Sequence, residues 1–374
     1  LGPVKAESPT NPGAMGFDEW LSHDNFFEMN PFLSRNGGPP EKFQGESSEI
    51  LIDETIRFIG KAKQSRRPFF AVVWFGSPHE PYSGLEEDLA LYSELPEKYR
   101  DRSVKLTSMK TGLPTTRPWH EVLQERYAEI TAMDRAMGTL RDHLQASGLR
   151  ENTMLWYCGD NGTPAEGQVA SPFRGRKGQM YEGGIRVPGV IEWPARISTP
   201  RASRVNTVTS DILPTLCALT GQPLPDRPLD GIDLTPLIDG ETTRRPSPIF
   251  FWAYDTRHEQ ALELEPYIDP ELQRGTTPLV KLMGDLRTRN FRNYRHPIVV
   301  AEDFAGERVA LDADYKLVIR GSGKKSQREL YQLSEDPAET TNLIDRQPDR
   351  VADLERQLHH WQQSVLGSLT GADY

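Results

Sequence analysis

Four stretches of this chain are continuously apolar over a length that suits a strand: Pro68 to Phe75 (PFFAVVWF), Thr153 to Cys158, Val187 to Trp193 and Pro248 to Tyr254. Runs of this kind, bounded by turn residues or charges, read as strands buried on both faces. Elsewhere apolar residues recur by threes and fours. Ile52, Ile56 and Ile59 share one face of a helix from Ile50 to about Lys63, with Ser48 and Glu49 as its cap and first turn. Leu123, Tyr127, Ile130, Met133, Met137, Leu140 and Leu144 mark the clearest helix, within Pro118 to Ser147, and Gly148 is placed to close it. Ser210 or Asp211 caps a further helix that carries Pro214 in its first turn and stops at Gly221. The long helix joins the Pro68 run to the Thr153 run, and such a crossover argues for parallel strands with a right-handed connection. From Arg308 the pattern changes to short alternating runs, RVALDA, YKLVIRG and RELYQL, which predict a small antiparallel sheet. A last helix, Asp349 to about Leu366, lays Val351, Leu354, Leu358 and Trp361 on that sheet.

Together these elements predict an α/β fold: a mostly parallel central sheet flanked by helices, followed by a small C-terminal antiparallel sheet plus helix. The division is a large domain over 1–255, a connecting or inserted segment over 256–307 with no clear period from Glu259 to Arg295, and a subdomain over 308–374. Composition alters this at only a few points. A length of 374 residues suffices for two domains and a large core. The net charge of -10 argues against a nucleic-acid partner, which needs an excess of Lys and Arg on one face. An anionic substrate must then be caught locally. No apolar run approaches the roughly eighteen residues of a transmembrane helix, and the start LGPVKAESP lacks the parts of a signal peptide. The chain does not open with Met, so little hangs on that start. Cys158 and Cys217 lie in an apolar strand and an apolar helix and read as buried free thiols, not as a disulfide or a zinc site. Nothing in the sequence specifies an oligomeric state.

Candidate chemistry gathers where strands end. Asp160 and Asn161 follow the Thr153 run and offer hard oxygen ligands of the kind calcium or magnesium takes, although Asp-Asn-Gly is also a hairpin turn signal. A basic loop comes next, Arg174-Gly175-Arg176-Lys177-Gly178, suited to neutralising an anion and equally able to be a solvated face. His79 stands just past the Pro68 run, within Gly76-Ser77-Pro78-His79-Glu80-Pro81. In open α/β sheets ligands bind at that edge.

In this order, Asp160-Asn161-Gly162, Gly175-Arg176-Lys177-Gly178, Tyr181-Glu182-Gly183-Gly184-Ile185-Arg186-Val187-Pro188 and Trp193-Pro194 resemble the type I sulfatases, the formylglycine-dependent branch of the alkaline phosphatase superfamily. Gly16-Phe17-Asp18 after Leu1-Gly2, Asp230 to Leu234 and Tyr331 to Leu343 resemble the same family. The resemblance implies an alkaline phosphatase-like fold and hydrolysis of sulfate monoesters, aryl or carbohydrate, on a sulfated small molecule or glycan. It implies Asp160 and Asn161 as ligands of Ca2+, with Mg2+ second. Lys177 would contact a sulfate oxygen and the leaving oxygen, and His79 would bind sulfate or protonate the leaving group. Arg174 and Arg176 would be substrate-side contacts or, paired with acidic neighbours such as Glu182, structural residues, and Arg186 a packing or salt-bridge residue. Leaving-group selectivity would fall to variable loops at 18–38 and 259–295. Proteins of this family are commonly exported to periplasm, extracellular space or lysosome.

One feature departs from the family. Its formylglycine is made from a Cys/Ser-x-Pro-x-Arg motif, and no such motif occurs: Cys158 precedes Gly-Asp-Asn and Cys217 precedes Ala-Leu-Thr. The family's Asp-Asp pair, the other half of its metal site, is absent as well. The expectation is an N-terminally truncated sulfatase, with formylglycine in the missing segment and no activity in this chain alone. Two other readings stand beside it: a phosphoesterase or phosphonate hydrolase of the same superfamily, and a non-catalytic pseudo-sulfatase that binds sulfated glycans.

Overall fold

A computed structural model describes residues 6–23, 29–80, 82–107, 113–168, 171–254, 296, 298–321 and 323–373. The chain divides between Arg150 and Glu151 into two compact units, and the second also takes in the C-terminal residues.

The first unit opens with three short antiparallel strands, β1 (Leu21–Ser22), β2 (Phe32–Arg35) and β3 (Glu41–Lys42). Helix α1 (Ser47–Gln64) starts earlier than its sequence suggests. The cap is Glu46, whose carboxylate accepts from the Glu49 N–H at 3.0 Å and from the hydroxyls of Ser47 and Ser48 at 3.2 Å each. Burial pushes the Glu46 carboxyl above its usual pKa. Helix α2 (Glu86–Ala90) is followed by a hairpin, β4 (Ser103–Thr107) and β5 (Pro114–Pro118), and then by the long α3 (Trp119–Ala146). The core face of α3 is Leu123, Met133, Leu140 and Leu144 with Ala128, Ala132 and Ala136, while Ile130 points outward at 38 % exposure. Helix α1, with Ile52 and Ile59 buried, packs on α3. Arg135 of α3 grips buried Asp88 of α2 through two bonds of 2.7 and 2.9 Å and Glu49 of α1 at 2.8 Å, fastening three helices. Gly148 closes α3 with a left-handed φ of 71°.

The Pro68 to Phe75 run differs from expectation. Its residues enter no ladder among the described residues, and Phe70, Val72 and Trp74 are 53 %, 43 % and 69 % exposed. Alternation puts these three on one face, and a strand becomes buried on both faces only when neighbours pair its edges and layers cover it.

The second unit contains β6 (Leu155–Cys158) and β7 (Gly189–Glu192), paired antiparallel from Leu155 opposite Glu192 to Cys158 opposite Gly189. All ladders among the described residues are antiparallel, so the parallel pairing expected of the 68–75 and 153–158 runs is not formed within them. The loop between β6 and β7 ends in a single helical turn, α4 (Glu182–Ile185). Next come α5 (Ile212–Thr220), stopped by Gly221 at φ 69°, and α6 (Thr235–Ile238). Fully buried Asp211 anchors this region: it accepts from the Val208 and Ile232 amides at 2.9 and 2.8 Å and from both Arg245 terminal nitrogens at 2.8 and 2.7 Å.

A four-stranded antiparallel sheet completes the unit, in the order β11-β10-β9-β8, from β8 (Ile249–Tyr254), β9 (Gly306–Asp312), β10 (Tyr315–Arg320) and β11 (Gln327–Gln332). The boundary read near 255 thus falls between two strands of one sheet, since Ile249 to Tyr254 pairs with Leu311 to Gly306. Most of the segment expected over 256–307 lies outside the described residues. Helix α7 (Pro348–Leu369) covers one face of the sheet, where Val351, Leu354 and Leu358 meet Ala310, Leu317, Ile319 and Leu330. On the other face Val309, Leu311, Val318 and Tyr331 pack with Tyr181 from the loop before α4. The sheet is therefore covered on both sides, and one of its covers is the loop that carries the candidate chemistry.

Candidate active site

The loop from Gly159 to Pro188 is woven together by its backbone. Gly162 and Thr163 N–H donate to the carbonyls of Gly184 and Gly183 at 2.8 and 3.1 Å. The Lys177 N–H donates to Thr163 O at 2.7 Å, and the Gly183 N–H to Arg174 O at 2.7 Å. Three segments, 160–163, 174–177 and 182–184, are thereby held in register. Such close approach needs glycine: a Cβ at Gly184 would lie 2.0 Å from Gln179 O, and one at Gly183 2.4 Å from Gly175 O.

Asp160 is exposed at the end of β6, and its Oδ1 accepts from the Asn161 N–H at 2.8 Å. The Asn161 amide nitrogen donates to Gly162 O at 3.2 Å, which fixes Asn161 Oδ1 as the acceptor end of that side chain. Asp160 and Asn161 fit part of an oxygen donor set. Among the described residues no three His, Cys, Asp or Glu side chains gather around a metal position, and calcium takes about six to eight oxygens.

The three basic residues of the loop separate. Arg176 and Lys177 are exposed and, among the described residues, pair with no carboxylate. Arg174 instead turns toward the C-terminal sheet: it donates to Tyr331 Oη at 2.7 Å, Glu339 O at 3.0 Å and Tyr181 Oη at 3.0 Å, and its guanidinium lies 3.8 Å from the Tyr181 ring centroid. Tyr181 in turn donates to Glu329, and burial together with that carboxylate raises the phenol well above its usual pKa. Arg186 reaches Glu182 at 3.5 Å and lies over Phe173. Burial and the neighbouring Asp160 raise the Cys158 thiol, which keeps it protonated and a poor nucleophile.

His79 belongs to the first unit, whereas Asp160, Asn161, Arg174, Arg176 and Lys177 belong to the second. Its ring Nδ1 is 2.7 Å from Glu80 O. A carbonyl only accepts, so this contact puts a proton on Nδ1.

Of the groups that brace the loop, sequence reading met Glu182 as a possible partner of the basic residues and Glu339 within the Tyr331 to Leu343 stretch, and passed over Lys316 and Glu329. A lysine in an alternating strand such as YKLVIR reads as solvent-facing, yet Lys316 is 0 % exposed. The usable signal was the Tyr331 to Leu343 stretch, where acidic side chains follow a strand, although nothing in it says which carboxylate turns inward.

The Sulfatase family model matches residues 4–222. The chain is 31 % identical over 235 residues to the ulvan-active sulfatase of Formosa agariphila, covering 60 % of this chain and 42 % of that protein. It is 38 % identical over 127 residues to human arylsulfatase A, 33 % of this chain and 25 % of that one. It thus spans less than half the length of these curated relatives. Among solved structures, Ps i-CgsB in complex with k-i-k-neocarrahexaose superposes with a TM-score of 0.66 at 18 % identity, over 97 % of this chain and 73 % of that one. Likeness at this level of identity shows the fold, an alkaline phosphatase-like α/β architecture with a small C-terminal antiparallel sheet plus helix.

Proposed function

The chain belongs to the sulfatase family, and from that premise we propose that it serves the hydrolysis of a sulfate monoester carried on a glycan, with the β6–β7 loop receiving the sulfate. The observation that carries this reading is the backbone weave that fixes Asp160 and Asn161 in register with Lys177 while leaving the Lys177 ammonium exposed. The carbohydrate assignment is supported by the name of the Formosa relative and by the oligosaccharide held by the solved neighbour.

Hydrolysis breaks the bond between sulfur and the alkoxide oxygen. Negative charge develops on the sulfuryl oxygens and on the departing oxygen, which leaves as an alcohol only if it gains a proton. Lys177 offsets that charge; a preorganised donor of this kind is worth about 10²–10³ in rate. The family resemblance gives His79 the leaving-group proton; with Nδ1–H donated to Glu80 O, that proton must come from Nε2 of the doubly protonated ring, which returns to the neutral form as the alcohol departs. Arg176 is placed to meet other anionic groups of a sulfated glycan. Arg174 serves the loop rather than the substrate, since its donors are engaged by Tyr331, Tyr181 and Glu339.

Two groups implied by the family stand apart from these steps. Asp160 and Asn161 would hold two sides of a Ca2+ ion, which polarises the sulfate when bound; Mg2+ suits them less, because it dehydrates reluctantly and demands octahedral geometry. Formylglycine does not fit the present residues, which contain no Cys/Ser-x-Pro-x-Arg. We infer that the nucleophile is supplied from outside these 374 residues and that the chain by itself turns over no ester.

The test is sulfate release by the full-length gene product from a panel of sulfated oligosaccharides, an aryl sulfate, and matching phosphate and phosphonate esters. Turnover of a sulfated sugar above the phosphorus esters is the expected outcome. The reverse order would make the protein a phosphoesterase of the same fold. Binding of sulfated oligosaccharides with no turnover, in a product carrying the modified residue, would make it a glycan-binding protein.

A further inference from the structure

We propose that Lys316 of the C-terminal sheet, held together with Glu339 of the turn that follows β11, is a positioning residue: by clamping Glu182 it sets where Asp160, Asn161 and Lys177 stand. The inference rests on the reading of the β6–β7 loop as the sulfate-ester site.

Lys316 is the second residue of β10 and pairs in register with Leu311 and Tyr331, so its side chain shares the sheet face that packs on Tyr181. It is fully buried. Its ammonium lies 3.0 Å from Glu182 Oε1 and 2.8 Å from Glu339 Oε1. Desolvation pushes the Glu339 carboxyl above its usual pKa, and the Lys316 charge works against that rise. For stability alone an apolar residue at 316 would serve about as well, because desolvating ions offsets most of what their attraction returns. What an ion cluster adds is a fixed direction.

The direction passes into the loop by short covalent and hydrogen-bonded steps. Glu339 Oε2 accepts from the Glu182 N–H at 2.7 Å, so both the side chain and the main chain of Glu182 are gripped from the C-terminal elements. The next two residues, Gly183 and Gly184, accept from Thr163 and Gly162, directly after Asp160 and Asn161, and Thr163 O accepts from Lys177 N. The glycine contacts leave no slack in this path. A second grip runs in parallel from Glu339 O to Arg174. Glu339 itself sits at a left-handed φ of 56°, in a turn tied by Asp336 to the Thr340 and Thr341 amides at 2.8 and 2.7 Å. A conformation that non-glycine residues rarely adopt is kept where it aims a carboxylate at two partners.

The experiment compares Lys316→Met, Glu339→Gln and Leu317→Ala in the full-length gene product. Leu317 is the chain neighbour of Lys316 but faces α7, so its truncation damages the same strand from the opposite side. Lys316→Met is expected to lower kcat on the sulfate ester about 100-fold, the loss that a displacement near 1 Å can bring. It should also speed amide hydrogen exchange over 160–163 and 177–184. Glu339→Gln keeps an acceptor for the Glu182 N–H and should give a smaller loss of the same kind, which covers the case in which the Met variant does not fold. Leu317→Ala should lower the melting temperature while leaving kcat and those amides unchanged. Unchanged exchange over 160–163 in both clamp variants, or equal loosening in Leu317→Ala, would overturn the proposal. If exchange responds as expected but the wild-type protein releases no sulfate from any ester, the clamp stands and the functional reading falls.

Discussion

Arg174 and Arg176 look alike in sequence, two residues apart in one basic loop, and the structure gives them different surroundings. Arg174 makes three hydrogen bonds, one to Tyr331 of the C-terminal sheet, one to Glu339 O in the turn after it and one to Tyr181 of its own loop, while Arg176 is exposed and unpaired among the described residues. Arg174→Ala should therefore lower the unfolding free energy by about 1.5–3 kcal/mol, the worth of charged hydrogen bonds lost from a partly buried network. Arg176→Ala should change it by less than about 0.5 kcal/mol. Urea unfolding of both variants checks this, and equal effects would contradict the assignment. Sequence could not separate the two residues, because the phenol and carbonyl that capture Arg174 lie at positions 331 and 339. Asp160 and Lys177 were legible as candidates because their neighbours in sequence also hold them in space; Lys316 was not, because its partners come from other elements.

Asp336 belongs to the same scale. Burial alone would raise its carboxyl, but the Thr341 amide and the Thr340 hydroxyl and amide outweigh that and hold it below the usual carboxylate range. A depressed folded pKa means that its contribution is full above the unfolded value, about 3.9, and is lost as pH falls through the folded value. Asp336→Asn should flatten the acid limb of the stability curve below about pH 4. A limb of unchanged slope in thermal melts across that range would show that this turn is not what titrates.

At the scale of elements, helices were the most legible and the extended runs the least. The spacing of Leu123, Leu140 and Leu144 located α3 well, but its inner stripe passes through Ala128, Ala132 and Ala136, which periodicity of large residues undervalues. The apolar run at 68–75 was legible as extended chain and not as a ladder, since apolar content does not say which strand lies alongside. Strand β8 was read with the large domain because it follows it in sequence, whereas its hydrogen bonds go to β9. The α5 region hangs on one buried pair, Asp211 with Arg245, at 0 % and 6 % side-chain exposure. Arg245→Met should cost about 3–5 kcal/mol by leaving that carboxylate buried without its cation. A loss under 1 kcal/mol in chemical denaturation would mean that the two main-chain amides suffice for Asp211.

At the scale of the whole molecule, the second unit joins a candidate catalytic loop to a sheet covered on both faces, so that C-terminal residues brace the β6–β7 loop. Within the first unit, Phe70, Val72 and Trp74 of the 68–75 run share one exposed apolar face. The family reading supplies a reason to test the chain in its full-length gene product, and one measurement bears on the central claim most directly. It is kcat/KM for release of sulfate from a sulfated oligosaccharide by the wild-type protein and by Lys177→Ala, with melting temperatures recorded for both. Lys177 is exposed, so the melting temperature should hold while kcat/KM falls about 10²–10³-fold, the loss expected when one preorganised cation is taken from the transition state. Full activity in Lys177→Ala would place the sulfate elsewhere and contradict the assignment of the β6–β7 loop as the site.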